Sequence, residues 1–515
     1  MAMRSDDRTF DAIVIGSGMG GLSAAAALAK CSRRVLVLEK HFVLGGLTQT
    51  FNRHNYTFAT GVHYIGGAGD APGPENQFGR MVHWLTDGQL RFASIGSPYD
   101  IVRLPGFDFP IEAPLEAYIE RLKASFPNEV AAIDTYFAAS NKARRVSMAL
   151  FAVKALPALV AAPVRWFNAR RINRALGTTT AEAVREIRDP RLAAVLAARW
   201  GDYGVVPTES PFAAHALVTG SYYEGAYYPV GGPAQFAKFL GETVTAAGGK
   251  LRTRANVAEI RTDGGRVIGV RLANDELIDA PVVISAIGAH NTVNSLPDGV
   301  APEWRNAVES LKPSISYMSL FLGLHGDIRA HGASTANVWI YESNDVGKLW
   351  EHPAAQEAPS LFVSFPSLKD PSHRDPHHHT AEIIAICRWE PFSKWARSVP
   401  GARPDEYETT KAQIAETLLA QFKRHFPQLG AMVEFYEVST PLTQASFVMA
   451  DQGAMYGLEI STMRMSHNAL RVRTPVPGLL LAGQDVVSPG IQGAFMGGFM
   501  AAASIEPRLW RKLNM

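Results

Sequence analysis

Residues 11–40 read DAIVIGSGMGGLSAAAALAKCSRRVLVLEK. Asp11 to Ile15 is predicted as a short buried strand, Gly16 to Gly21 as a tight turn, Leu22 to Lys30 as an alanine-rich helix and Arg34 to Leu38 as the next strand. This β-turn-α-β order opens a doubly wound parallel sheet. Gly16, Gly18 and Gly21 fall in G-x-G-x-x-G spacing, which allows a tight turn, close approach of a pyrophosphate and close helix contact, with the helix amino terminus offering N–H donors. Glu39 closes the second strand 23 positions after Gly16, near the roughly 20 expected for an acid that accepts hydrogen bonds from ribose hydroxyls. The stretch predicts a dinucleotide site.

Around this unit lie 515 residues, 47% hydrophobic and 19% charged, enough for roughly two to three domains with a substantial core. The formal charge of +2 gives no whole-chain field for a nucleic acid, so none is expected as partner. Cys31 and Cys387 are too few for a disulfide framework or a Cys-based metal site, and both read as inert core thiols. The polar start, MAMRSDDRTF, runs straight into the first strand without signal-peptide regions, so a cytoplasmic location is expected.

Two charge-free runs, Ala12 to Ala29 and Val486 to Ile505, approach the length of a membrane span, but their glycines read as a turn followed by a buried helix. Val146 to Phe167 differs in kind. It is strongly apolar, broken by Lys154, Pro157, Pro163 and Arg165, and bracketed by Arg144, Arg145, Trp166, Arg170, Arg171 and Arg174. Basic and aromatic groups around an apolar centre are the pattern of a segment lying in a membrane interface, while a kinked core helix at a domain edge is the alternative.

Further along, Ala71 to about Thr219 reads as mainly helical. The α/β character returns with a helix over Pro233 to Ala247, a strand over Lys250 to Arg254, a hairpin of Val257 to Thr262 with Val267 to Leu272, and a buried strand over Pro281 to Ile287. Strands near Tyr317 to Leu324 and Glu382 to Arg388 and a helix near Lys411 to His425 follow; Gly478 to Ala482 gives a last strand and Gly493 to Trp510 a closing helix. The fold class expected is α/β: a Rossmann-type cofactor domain formed discontinuously by 10–70, 225–290 and 461–512, with an inserted α+β substrate domain of 71–224 and 291–460 in which 144–174 is the membrane-contact candidate.

After Glu39 the chain continues KHFVLGGLTQTF, and near its end it reads GLLLAGQDVVSPGIQGAFMGGFMAAASI. The pair resembles the opening and closing motifs of the amine-oxidase-like FAD flavoproteins. Between them, GGLTQTFNRHNYTFATGVHYIGG, WGDYGVVP, EGAYYPVGG, LFVSFPSLKDP and STPLT followed by YGLE resemble the branch that holds phytoene desaturases, carotenoid isomerases and retinol saturases, over about Asp11 to Ile505. One departure is Ser285-Ala286-Ile287-Gly288, where the desaturases usually carry Ser-Asn-Ala. The resemblance implies FAD as cofactor and oxidation, reduction or redox-neutral isomerisation at a double bond of a lipophilic carotenoid, retinoid or unsaturated acyl chain. It further implies cofactor contacts at Gly16, Gly18, Gly21, Glu39, Lys40, Gly45, Gly46, Thr48, Val257, Gly483 and Asp485, the last on the ribityl chain, with Gln492, Gly493 and Ala494 at the flavin pyrimidine edge. A helix amino terminus there would stabilise reduced, anionic flavin. An amine oxidase shares the fold, and a non-enzymatic lipid escort protein is the rival of another class; the intact glycine turn, Glu39 and Asp485 argue against the latter. No second nucleotide fingerprint is present, so an electron donor or acceptor must visit.

Proton handling beside a hydride carrier needs a group that titrates near working pH. His63 and Tyr64, within the glycine-bracketed TGVHYIGG, are the catalytic candidates, His63 because an imidazole serves as acid or base without a large shift. Ordering of the loop is the plainer role for each. Asp202, Tyr203 and His215 come second, and Tyr222, Tyr223, Tyr227 and Tyr228 are candidates to wall a lipid tunnel. His377, His378 and His379 lie between Pro371 or Pro376 and the next strand; consecutive side chains splay apart, so a solvent loop and no metal site is expected.

Overall fold

The computed structural model describes residues 10–69, 76–155, 163, 166, 172, 173, 175–349 and 354–514. The opening unit forms as expected: strand β1 (Ala12–Ile15), helix α1 (Met19–Ala29) and strand β2 (Val35–Leu38), with both strands wholly buried. The helix begins three residues earlier than its pattern, so Gly20 and Gly21 lie in its first turn rather than in a loop. With Lys250–Arg252, Val283–Ser285 and Leu479–Leu481 these strands make a five-stranded, all-parallel sheet in the order Lys250–Arg252, β2, β1, Val283–Ser285, Leu479–Leu481. Sequence-distant strands become neighbours because a parallel sheet needs crossover connections.

The apolar helix α2 (Gly490–Ile505) packs against α1 along a seam of glycines. A Cβ on Gly498 would lie 1.9 Å from the Gly20 carbonyl oxygen, and one on Gly20 would lie 2.6 Å from Gly483 Cα. This contact brings the amino ends of both helices to the same end of the sheet. A final 3₁₀ stretch, Pro507–Asn514, completes what the sequence read as one closing helix.

The larger sheet has seven strands, built on β3 (Asp100–Leu104), β4 (Asn337–Tyr341), β5 (Ser360–Ser364) and β6 (His378–Cys387). Its order is Val433–Ser439, Ser316–His325, β6, β5, β4, β3, Phe107–Ile111, and only β3 and β4 run parallel to each other. Strand alternation divides its two faces. Ala381, Ile383, Ala385 and Cys387 of β6, with Val338, Ile340, Leu361 and Val363, pack onto Ile414, Leu418 and Phe422 of the Asp405–His425 helix. Glu382, Ile384 and Ile386, with Asn337, Trp339, Tyr341, Phe362 and Ser364, point to the other side.

The structure corrects two expectations. The stretch after Ala71 is not mainly helical, because Phe92–Ser94 and β3 are strands with partners more than 100 residues away, and Phe107–Ile111 pairs back onto β3. A hairpin, Thr50–Arg53 with Tyr56–Ala59, precedes them. His378 and His379 open β6 instead of lying in a solvent loop, paired with His325 and Leu324, and among the described residues no group of His, Cys, Asp and Glu is arranged to hold a metal ion. Cys31 and Cys387 are both buried, and burial pushes the Cys387 thiol well up. Val146 to Ala155 continues the Val130–Ala155 helix; 156–162, 164, 165, 167–171 and 174 of the membrane candidate lie outside the described residues. Among the described residues no helix is long and apolar enough to cross a membrane.

Candidate active site

The carboxyl ends of β1, β2, Val283–Ser285 and Leu479–Leu481 open into one cavity of about 570 Å³. That is where open parallel sheets place their ligands, and the size fits the usual range of about 300–1,000 Å³ for cofactor pockets. Gly16, Gly18, Glu39, Lys40, Gly45, Gly46, Thr48, Val257, Gly483, Asp485 and Ala494 line it. A Cβ on Gly18 or Gly483 would meet no protein atom within 4 Å, so at both points bare backbone faces open space. The Glu39 carboxylate takes the Ser17 N–H at 2.9 Å, the Ser17 hydroxyl at 2.6 Å and the His41 N–H at 2.8 Å, which locks the acid at the cavity edge. Ser17 also accepts the Gly45 N–H at 3.0 Å and so ties the two glycine turns together. Asp485 stands 5% exposed with one oxygen on the Ala289 N–H at 2.8 Å and the other on the Leu458 N–H at 2.9 Å.

The other three expected contacts, Gly21, Gln492 and Gly493, stand behind the wall. A Cβ on Gly21 would lie 1.9 Å from the Gly16 carbonyl oxygen, and one on Gly493 would lie 1.8 Å from that of Ser488, so both positions serve close backbone contact. Gln492 donates its amide to the Gly66 carbonyl at 2.6 Å. Because α2 starts at Gly490, it is Gly490, Ile491 and Ala494 that reach the cavity.

A second, smaller cavity of about 120 Å³ adjoins the first. Tyr64, Trp200, Tyr222, Trp339, Tyr341, Phe362 and Tyr456 make it largely aromatic. Several polar tips are turned outward: Tyr341 donates to the Ala198 carbonyl and Tyr456 to that of Gly201 at 3.1 Å, leaving ring faces toward the space. Of the four expected tunnel tyrosines only Tyr222 lines this chamber; Tyr223 shares a hydrogen bond with Ser140 and Tyr228 is buried elsewhere in the core. The two cavities share a boundary that includes Gly61, Val62, His63, Met455 and Gly490.

His63 thus lies at the junction. Its Nδ1 stands 2.7 Å from Glu382 Oε2, within ion-pair range although outside hydrogen-bond angle, and Glu382 Oε1 accepts the Ala59 N–H at 2.6 Å. The Glu382 carboxylate is fully buried in β6 and faces the imidazole. Tyr64 is placed differently. Its hydroxyl accepts from Arg199 Nη2 at 3.0 Å and lies 3.2 Å from Asp100 Oδ2 and 3.3 Å from Asp202 Oδ2, and burial raises its pKa well above the ordinary phenol value. Arg199, buried, is clamped by Asp202 at 2.6 Å, approaches Asp100 at 3.4 Å and lies over the Tyr222 ring at 4.1 Å. Burial raises the Asp100 carboxyl to about 6 against the pull of Arg199, and raises Asp202 as well. The second-choice candidates separate: Asp202 lines the aromatic chamber, while His215 is fully enclosed between Tyr136 and Tyr203, its pKa pushed down to about 3 by burial and then by Arg199.

Glu382, Arg199, Asp100 and Ser17 are the members that motif reading passed over. For Glu382 the signal is present, a single acid inside HHTAEIIAIC, since a charge in a largely buried strand must have a partner.

The glycine turn, the parallel sheet and the two adjoining cavities have the form of a Rossmann-type dinucleotide site with a second chamber beside it. The NAD(P)-binding Rossmann-like domain family matches residues 14–75. Cyclohexylamine oxidase of Brevibacterium oxydans shares the fold at TM-score 0.62 and 18% identity, covering 98% of this chain and 100% of that one; a putrescine oxidase does so at 0.63 and 15%, covering 97% and 99%. The all-trans-retinol 13,14-reductase of Rattus norvegicus is 35% identical over 97% of this chain and 86% of its own, and that of Homo sapiens 33% over the same shares. The prolycopene isomerase of Arabidopsis thaliana is 28% identical over 87% and 74%. The chain belongs to the family of the all-trans-retinol 13,14-reductases, within the retinol saturase and carotenoid isomerase branch, and is an oxidoreductase of carbon–carbon bonds.

Proposed function

We propose that this chain binds FAD in the larger cavity and reduces a carbon–carbon double bond of a retinoid or a closely similar polyene lying in the aromatic chamber. The observation that carries the reading is the position of His63, on the boundary of both cavities and backed by Glu382. Open backbone at Gly18 and Gly483, with carboxylates at Glu39 and Asp485, fits a long dinucleotide with hydroxylated linkers. Bound there, FAD supplies hydride-level redox chemistry, with electrons provided by a visiting donor.

Saturating a double bond adds a hydride to one carbon and a proton to its neighbour. His63 holds that proton, with the buried Glu382 carboxylate 2.7 Å from its ring nitrogen. Tyr64, held by Arg199, contributes a rigid wall that positions the chain; its raised pKa makes it a poor proton source. The aromatic faces exclude water from the reacting carbons. At about 120 Å³ the chamber is small for a polyene, so binding requires rings such as Tyr222 and Phe362 to part. In this reading 10–70, 225–290 and 461–512 chiefly serve the cofactor, and 71–224 with 291–460 the substrate. Isomerisation is the second reading, favoured by the prolycopene isomerase relatives. Anaerobically reduced holoenzyme mixed with all-trans-retinol distinguishes them: reduction consumes the bound electrons stoichiometrically, isomerisation leaves them.

The substrate's solubility also favours contact with a lipid surface. Met148 and Trp166 are 48% and 74% exposed, in the arginine-flanked segment. Cosedimentation with anionic vesicles is expected, weakened severalfold by Met148→Ser with Trp166→Ser and by raised salt. Equal recovery of both proteins in the supernatant removes this contact.

A further inference from the structure

Lys369 is 3% exposed at the end of a short helical turn, Pro366–Lys369, that follows β5. Its ammonium has three donors and no acceptor capacity. It donates to the His63 carbonyl at 3.0 Å, to Ser364 Oγ at 2.7 Å and to Asn337 Oδ1. Ser364 is paired across the sheet with Glu382, and Asn337 with Asp100, so the lysine sits over a polar row that crosses four strands.

We propose that Lys369 is a positioning residue of this site: its ammonium pins the His63 backbone so that the ring stands between the two cavities, and loss of the charge releases it. The proposal deepens the reading of His63 given above and rests on it for its bearing on turnover. A neutral amine has two donors and a lone pair, so at least one of the three bonds must fail on deprotonation, with the lone pair set against an acceptor oxygen. The charged groups facing this space are Asp100 from β3, Glu382 from β6, and Arg199 and Asp202 from the Ala198–Asp202 turn, with Tyr64 and His63 on the intervening loop. The Nζ also lies 5.7 Å from the Tyr64 ring centre. Asp370, next in the chain, is turned to the Gly231 N–H and to Ser372. Burial lowers the Lys369 pKa to about 7, while Asp100 and Glu382 pull it back up. The pin is therefore in place below about pH 7 and is lost as pH rises through that value.

The test uses FAD-loaded protein and reads the imidazole directly, by the rate of carbethoxylation of His63 followed by peptide mass spectrometry, with exposed His54 as internal standard. Relative to the standard, His63 of Lys369→Met is expected to react about tenfold faster than wild type at pH 6, and at nearly the wild-type rate at pH 8.5. In Lys369→Arg, which keeps its charge, the slow rate should persist at both. If neither variant folds, the wild-type ratio of His63 to His54 must itself rise between these pH values. A ratio unchanged by pH in wild type, or unchanged by Lys369→Met at pH 6, overturns the positioning role. Turnover supplies the second readout: kcat of Lys369→Met falls about tenfold with KM within about twofold and no alkaline decline. Pinning observed while His63→Gln retains full turnover preserves the positioning role and removes only the catalytic reading of His63.

Discussion

Replacing His63 with Gln lowers turnover by about two to four orders of magnitude while flavin remains bound, if the ring is the proton source. Gln keeps a hydrogen-bonding side chain of similar reach but cannot carry the proton. The substitution leaves the Lys369 bond intact, because that bond goes to the backbone carbonyl. The deficit should fall on kcat, since the walls that bind a polyene, Tyr222, Trp339 and Phe362, are untouched. Turnover within about threefold of wild type, in protein with an unchanged flavin spectrum, would assign proton delivery to water.

The second large effect lies in the glycine turn. In Gly18→Ala the new methyl group meets no protein atom within 4 Å, so folding should be unaffected and the melting temperature of cofactor-free protein should match wild type. The methyl instead enters the space that the cofactor's pyrophosphate would occupy, and FAD affinity is expected to fall about a hundredfold, as overfilling a formed site does. Gly21→Ala is the contrasting control. Its Cβ would meet the Gly16 carbonyl oxygen at 1.9 Å, so this change should lower the melting temperature even without cofactor. Titration of each apo variant with FAD, followed by fluorescence quenching, separates the two. Normal FAD affinity in Gly18→Ala would show that the cradle is not where the glycine spacing puts it.

The reach of sequence reading differs sharply between the two halves of the site. The cofactor half is legible because its rules are local. Gly16, Gly18 and Glu39 lie within 24 residues, and backbone approach at a turn leaves a spacing that no side-chain variation hides. Asp485 and Ala494 follow from a second compact motif. That Gly490, Ile491 and Ala494 line the cavity while Gln492 and Gly493 do not is a matter of helix phase: each residue rotates by about 100°, and α2 begins at Gly490.

The catalytic half depends on strand pairing at long range. Asp100 meets Asn337 only because β3 pairs with β4, and Glu382 meets His63 only because β6 lies beneath the loop that follows the first hairpin. Nothing in the spacing of His63 and Glu382, or of Tyr64 and Arg199, announces these contacts. The individual anomalies are visible all the same. An acid in a largely buried strand, and a lysine in LFVSFPSLKDP, are charges whose burial has to be compensated, and their partners lie around His63. Tyr64 shows the converse. It reads as catalytic from its neighbour His63, yet its hydroxyl is bound by Arg199 and two carboxylates.

The most direct measurement is a single turnover. Holoenzyme with FAD bound is reduced anaerobically and mixed with one equivalent of all-trans-retinol, and the flavin absorbance is followed while the products are separated. The expected result is that the oxidised spectrum returns with one equivalent of dihydroretinoid formed, and that His63→Gln slows this return without altering the reduced spectrum. A flavin that stays reduced in the presence of retinol and of other polyenes, while the retinol is recovered unchanged, contradicts it.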